Sequence, residues 1–225
     1  MVDCGPSFTI RLYQAGDYQN VRRIVASGTM ELVVVAFKQA IRSLSNVCLL
    51  FASGQLVYVL TGSLACTSLM CFVLLTFMYL ACRQVYASYL RERMETDMAD
   101  IEGHYLKPPG AGFWVAVEEQ GNRVVGTVGV KMEPGYPYSC QLFRLFVDQR
   151  FRRHGLGRRL TQKVLDFAKG YGYRVCLLKT TSVQEPAIHM YQKMGFHIQS
   201  SSPVPGPALL TLISKISGYD LEKNL

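Results

Sequence analysis

Leu142-Phe143-Arg144-Leu145-Phe146-Val147-Asp148 leads, three residues later, into Arg152-Arg153-His154-Gly155-Leu156-Gly157-Arg158. The first segment is an apolar strand pattern. The second is a glycine turn that opens a helical pattern, so the stretch reads strand, turn, helix. Gly155 and Gly157 let the backbone turn sharply and approach a ligand with no Cβ in the way. The amides of a loop that opens a helix point outward, unpaired, at the positive end of the helix dipole, and such a place binds phosphate. Five arginines between positions 150 and 159 add charge against the single acid Asp148. The same residues also suit a tight turn with a solvated basic edge, and on their own they leave both readings open.

A second segment narrows the choice. Ala187-Ile188-His189-Met190-Tyr191-Gln192-Lys193-Met194-Gly195-Phe196 follows about thirty residues on. Together the two segments resemble the signature regions of the GCN5-related N-acetyltransferase superfamily. The first is similar to its R/Q-x-x-G-x-G/A pyrophosphate loop, the second to its A-x-x-x-Y-x-x-x-G-F helix. The resemblance implies an acetyltransferase fold and acetyl-CoA as co-substrate.

The chain has 225 residues and a formal net charge of +8. That length supports one core of ordinary size. No basic stripe interleaved with aromatics occurs, so nucleic acid is not expected as a partner. A phosphorylated co-substrate and the anionic cytosolic face of a membrane account for the charge instead. The seven cysteines form no C-x-x-C pair and have no metal-ligand spacing with a histidine. No metal site is expected, and the cysteines read as small buried hydrophobes in a reducing compartment.

Between Arg42 and Arg83 lie 40 residues without Lys, Arg, Asp, Glu or His. A spanning helix needs roughly 20 apolar residues. Gly54-Gln55 and Thr61-Gly62-Ser63 interrupt the run, which predicts two helices, residues 44–60 and 64–82, joined by a tight turn. Arg22, Arg23, Lys38 and Arg42 precede the run and Arg83, Arg91 and Arg93 follow it. Positive charge at both ends favours placing both ends on the cytosolic side. The competing arrangements are one span with a lumenal catalytic domain and a buried soluble hairpin. The run begins too far into the chain to be a cleaved leader.

The rest of the chain alternates strands and helices. Phe8 to Leu12 reads as a strand, and Asp17 as the N-cap of a helix with Val21, Ile24 and Val25 on one face. Tyr86 to Tyr105 reads as one charged amphipathic helix ending before Pro108-Pro109, its acids Glu95, Asp97, Asp100 and Glu102 forming a solvated face. Phe113 to Val117 and Val124 to Val130 flank Gly121-Asn122 as a hairpin. After the strand at 141–147 come a helix at 157–171, with Leu160, Val164 and Phe167 at core spacing, and a strand at 174–179. A helix at 185–194 and a short strand at 196–199 follow. Pro203, Pro205 and Pro207 then break the chain, and Leu209 to Ile213 reads as a last strand. The order predicts a mixed α/β domain with a central sheet. Residues 1–43 and 83–225 would form the acetyltransferase domain around a membrane-embedded insertion at 44–82.

That early insertion, Phe113-Trp114-Val115-Ala116, the strand from Leu142 to Asp148 and the Ala187–Phe196 helix resemble the camello-like N-acetyltransferases over nearly the whole chain. The resemblance implies that Phe146 and Val147 pair with the pantetheine amides. It also implies that Arg152, Arg153, His154, Gly155, Leu156, Gly157 and Arg158 hold the diphosphate, with Gln184 standing where relatives carry a cofactor-contacting asparagine. Tyr191 would be the general acid that protonates the departing thiolate. Many superfamily members carry a glutamate base on the strand before the glycine loop; here that strand has none, leaving Glu133 or a water chain. His154 reads as a loop residue, His189 as surface, and His104 carries no signal. Arg144 alternates with Phe143 and Leu145, so it is expected on the opposite face, binding a substrate carboxylate or an ion-pair partner on the sheet. The resemblance points to an endoplasmic-reticulum membrane enzyme, catalytic domain in the cytosol, that acetylates the α-amine of cysteine S-conjugates. A protein lysine is the alternative substrate, and a non-catalytic acetyl-CoA-binding membrane module the alternative class.

Overall fold

A computed structural model describes residues 7–204 and 208–225. Strand β1 (Phe8–Leu12) leads into helix α1 (Tyr18–Arg42), followed by α2 (Leu44–Thr61), α3 (Leu64–Glu95) and the short α4 (Ile101–Tyr105). Then come β2 (Gly112–Glu118), β3 (Arg123–Glu133), β4 (Tyr136–Val147), α5 (Leu156–Tyr171), β5 (Val175–Thr181) and α6 (Glu185–Lys193). The chain closes with β6 (His197–Pro203), α7 (Ala208–Ser214) and β7 (Ser217–Asn224).

The strands form one sheet in the order β1-β2-β3-β4-β5-β7-β6. Every neighbouring pair is antiparallel except β4 and β5. Strand β2 is apolar at consecutive positions because both faces are covered. Trp114 and Ala116 enter one core with Leu160, Val164 and Ala168 of α5, while Phe113 and Val115 enter the other with Val21, Ile24 and Val25 of α1. Asn122 takes a left-handed turn position (φ +44°) between β2 and β3.

The parallel pair decides where a ligand fits. Strands β4 and β5 are in register only from Ser139↔Val175 to Leu142↔Leu178. Beyond that point β4 stays with β3 and β5 stays with β7, so the two strands part and leave a wedge with unpaired backbone edges.

The apolar run folds as an antiparallel hairpin. Gly62 ends α2 in the left-handed conformation (φ +62°), and the Ser63 hydroxyl caps α3 by accepting from the Cys66 amide. A Cβ on Gly54 would lie 3.5 Å from Cys71 Sγ and 3.6 Å from Thr67 Cγ2, which shows how closely α2 packs on α3. Three helical stretches, residues 15–42, 44–61 and 64–95, are long and apolar enough to cross a membrane. The first is 39% buried over its apolar window against 11% for each of the others, so α1 belongs to the domain and the exposed pair is the hairpin.

Several sequence expectations are corrected. Residues 86–105 are not one helix: α3 runs unbroken from the hairpin to Glu95, turns at 96–100, and α4 follows. Asp97 is buried in that turn instead of joining a solvated face. Asp17 occupies the N-cap of α1, but its carboxylate accepts from Arg11 and the Gln14 amide instead of capping α1. Residues 209–213 are helical: Leu210 and Ile213, three apart, pack together on the base of the hairpin, a spacing a strand would split between faces. The last strand is β7, inserted between β5 and β6 with Leu221 in the core. Cys82, Cys140 and Cys176 are buried as expected, but Cys48 and Cys66 are exposed on the hairpin.

Candidate active site

The sequence-selected residues fall into three places: the turn and first turn of α5 from Arg152 to Arg158, the end of β4 at Arg144, Phe146 and Val147, and α6 with its N-cap at Tyr191 and Gln184. At the mouth, Asp148 closes the end of β4: its carboxylate accepts from the Arg150 amide, and Arg150 and Arg123 hold it below the usual carboxylate range. Arg153 and Gly155 both take φ of +72°, which swings the chain into α5. Gly155 is the N-cap and offers no side chain to the helix. The amides from Arg153 to Arg158 have no acceptor among the described residues. Six outward N–H groups at a helix start form an anion cradle, which is the physical requirement for a diphosphate.

The arginines divide their work. Arg152 is exposed but tethered: its Nε donates to Val147 O at 3.0 Å and its Nη2 meets Glu31 of α1 at 2.5 Å. Arg159 donates to Phe8 O at 2.8 Å and fastens α5 to β1. Arg153 and His154 are exposed, the His154 ring lying 6.1 Å from that of Phe8. Arg158 faces a depression of about 240 Å³ between α5 and α6, lined also by Pro186, His189, Met190, Lys193 and Met194. Gly157 lets the two helices touch, since a Cβ there would sit 3.3 Å from Met190 Sδ.

Tyr191 comes up beneath the wedge from α6. It is buried against Phe196, with ring centroids 5.7 Å apart, in the core that holds Cys140 and Cys176. Its hydroxyl has no hydrogen-bond partner among the described residues. Burial, with Cys176 alongside, holds the phenol above the usual tyrosine range, so it stays protonated at neutral pH and is available as a donor. Gln184 stands at the N-cap of α6 and donates to Thr181 Oγ1 at 3.3 Å.

On the other face of the sheet the structure departs from simple alternation. Gly129 pairs with Phe143 and Thr127 with Phe146, so β4 carries one more residue than β3 across this step. Arg144 takes the strain of that bulge at φ +54°, and the Thr127 hydroxyl fixes it by donating to Arg144 O at 2.8 Å. The bulge puts Arg144 on the same side as Phe143, not opposite it. There its Nε and Nη2 donate to the two oxygens of Asp97 at 2.8 and 2.7 Å, and its Nη1 donates to Tyr89 OH at 2.7 Å. Tyr105 OH also donates to Asp97, and Lys131 Nζ lies 4.6 Å from the Tyr105 ring centre. Burial opposes ionisation of Asp97, but the Arg144 hydrogen bonds prevail and hold its carboxyl below the usual range. Sequence reading found Arg144 but missed its partner, because the pair joins positions 47 residues apart. Glu133, the distant candidate for a base, keeps one carboxylate oxygen buried without a partner among the described residues. His104 Nδ1 sits 2.9 Å from the carbonyl of Asp100, the N-cap of its own helix.

A seven-stranded sheet opened between two parallel strands, with an anion cradle at the mouth and a buried phenol in the core below, is an arrangement suited to acyl transfer from a diphosphate-bearing thioester. The comparisons make the class specific. Residues 76–196 match the model of the acetyltransferase (GNAT) family. The chain is 36% identical over 193 residues to N-acetyltransferase 8 of Rattus norvegicus, covering 84% of this chain and 86% of that protein. It is likewise 36% identical over 209 residues to N-acetylaspartate synthetase of Homo sapiens, covering 91% and 68%. The crystal structure of a GNAT-family acetyltransferase from Staphylococcus aureus Mu50 carries the same fold, with a TM-score of 0.59 and 18% identity over 97% of this chain and 99% of that one. The protein therefore belongs to the GNAT acetyltransferase family, in its camello-like, N-acetyltransferase 8 branch. It is an N-acetyltransferase that uses acetyl-CoA.

Proposed function

We propose that this enzyme sits in the endoplasmic-reticulum membrane with its catalytic domain in the cytosol. We propose further that it acetylates the α-amino group of amphiphilic amino acids, cysteine S-conjugates above all. One observation carries this reading: α3 is a single helix from the exposed apolar hairpin to the face of the sheet where Arg144 lies. Tyr86 of α3 meets Thr181 of β5 at 3.3 Å, and Tyr89 meets Arg144. Arg83, the first charge after the apolar run, precedes Tyr89 by six residues, or about 9 Å of helix. An acceptor whose apolar substituent rests in the bilayer would thus need to reach only about 9 Å above its surface to bring its polar end to Arg144.

In this reading the amides from Arg153 to Arg158 hold the diphosphate, Arg158 and Lys193 add charge beside them, and Arg152 orders the loop from behind. The splayed edge of β4 at Phe146 and Val147 pairs with the pantetheine amides, Val147 through its N–H because its carbonyl already accepts from Arg152, and Gln184 flanks the same arm. The acceptor nitrogen bonds to the acetyl carbon as the C–S bond breaks, Tyr191 delivers its proton to the leaving sulfur, and the proton shed by the nitrogen passes through water to restore the phenol. Arg144 has five N–H donors, of which Asp97 takes two and Tyr89 one. The two that remain, with Lys131 and Arg93 nearby, are what the acceptor carboxylate would meet.

A second reading has support from the same cluster. Arg93, Lys131 and Arg144 outnumber Asp97, which favours an acceptor with more than one carboxylate, and one relative is named for making N-acetylaspartate. The test offers the full chain in phosphatidylcholine vesicles S-benzylcysteine, S-alkylcysteines of increasing chain length, L-aspartate and a lysine peptide. The expected result is a kcat/KM that is highest for the S-conjugates and rises with alkyl length. Preference for aspartate would install the second reading, and preference for the peptide would discard both.

A further inference from the structure

The short helix α7 lies between β6 and β7, at the foot of the apolar hairpin. Leu210 and Ile213 pack inward on Phe37 and Ile41 of α1, Leu50 of α2, and Met78 and Ala81 of α3. Asn46, buried at the start of α2, donates to Ala40 O and Ile213 O at 2.9 Å each, so one amide ties α7 to the junction of α1 and α2. The outward residues are Leu209 and Leu212, 57% and 63% exposed. Two large aliphatic side chains on one exposed turn have no reason to face water when the inward turn is already filled.

The charges around them point to the occupant. Lys38, Arg42 and Arg83 are exposed beside the same junction, and Lys215 follows α7 directly. None of the four has an ion-pair partner among the described residues. No Asp or Glu occurs between Glu31 and Glu92, or between Glu185 and Asp220, so the segments that carry these four cations hold no acid. An apolar turn set among these cations, continuous with an exposed apolar hairpin, matches the layered chemistry of a lipid surface: anionic headgroups over hydrocarbon.

We propose that α7 is a membrane-docking element, inserting Leu209 and Leu212 into the headgroup–acyl boundary while Lys38, Arg42, Arg83 and Lys215 meet lipid phosphate. This rests on the reading of the hairpin as membrane-spanning. Because β7 leads from α7 into the sheet beside β5, docking would fix the catalytic domain against the bilayer at a second point, limiting its tilt about α3.

The test is tryptophan quenching by brominated lipids, with the full chain in vesicles containing phosphatidylserine. Three single substitutions are compared with the parent, whose one tryptophan, Trp114, lies in the core and supplies a constant background. Leu212→Trp reports on α7, Phe51→Trp on the middle of α2, and Tyr138→Trp on the exposed opposite end of β4. The expected result is that Leu212→Trp loses most emission with lipid brominated near the headgroup, Phe51→Trp with lipid brominated near the chain end, and Tyr138→Trp with neither. Quenching of Phe51→Trp with Leu212→Trp as unaffected as Tyr138→Trp would overturn the proposal while leaving the hairpin in the bilayer. An unquenched Phe51→Trp would instead overturn the spanning reading, and the docking of α7 with it.

Discussion

Arg144 and Asp97 form a buried ion pair at a strained backbone position, and the cost of breaking it is set by what each is left with. Asp97→Asn keeps the shape but leaves a guanidinium buried without its counter-charge, a loss of about 3–5 kcal/mol in comparable pairs. Asp97 has its pKa lowered in the fold, so its contribution is fully present above the unfolded value near 3.9 and lost as pH falls through the folded one. Thermal unfolding of the solubilised protein should therefore show Asp97→Asn below the parent at neutral pH, with the gap closing below about pH 4. A gap that persists in acid would mean the substitution acts through packing and not through charge. Tyr191 makes a different kind of claim. Its hydroxyl supports no hydrogen bond among the described residues, so Tyr191→Phe should leave stability nearly unchanged. As general acid it should lower kcat by about 10²–10⁴-fold with KM for acetyl-CoA largely kept. Unchanged turnover would make it a core residue and nothing more.

At the scale of elements, α1 approaches β4 so closely that only glycine fits at position 28. A Cβ there would stand 2.5 Å from Cδ1 of Phe146, on the strand edge proposed to hold pantetheine. Gly28→Val must push that ring aside, costing about 1–3 kcal/mol as an overpacked site does, and it should raise KM for acetyl-CoA more than it changes kcat. A shift confined to stability would show that Phe146 does not shape the wedge. What the sequence made legible among these elements has a physical pattern. The glycine loop, the β2–β3 hairpin, the amphipathic α5 and the uncharged run each carry their signal within a dozen or two residues. The features that were missed are settled by tertiary contact. The break of α3 at 96–100 follows from burying Asp97 under Arg144, and the bulge that carries Arg144 shows only in the pairing of β4 with β3. Helix α7 is a seven-residue, mostly apolar element that packing on the hairpin, not propensity, makes helical. Strand β7, with little apolar alternation beyond Tyr219 and Leu221, is a strand because β5 and β6 flank it.

Across the whole molecule, length and charge together argue for a particular membrane and orientation. Helix α2 has 18 residues, or about 27 Å, close to the hydrocarbon thickness of roughly 27 Å in the endoplasmic reticulum and short of the thicker plasma membrane. Helix α3 has 32 residues, or about 48 Å, so roughly 20 Å of it stands clear of such a bilayer as a rigid post under the catalytic domain. The cations Lys38, Arg42, Arg83 and Arg91 all lie at the open end of the hairpin and none at the tip, which favours a cytosolic catalytic domain and a lumenal turn at Gly62-Ser63. A flexible segment carrying an Asn-x-Thr acceptor, inserted between Gly62 and Ser63, should then be glycosylated in microsomes, while the same segment inserted at Gly121 in the β2–β3 turn should not. Glycosylation at Gly121 alone would invert the molecule and place acetylation in the lumen. Modification at neither site would leave the hairpin re-entrant or surface-lying, and the proximity argument for an amphiphilic acceptor, which rests on a spanning α3, would fall with it.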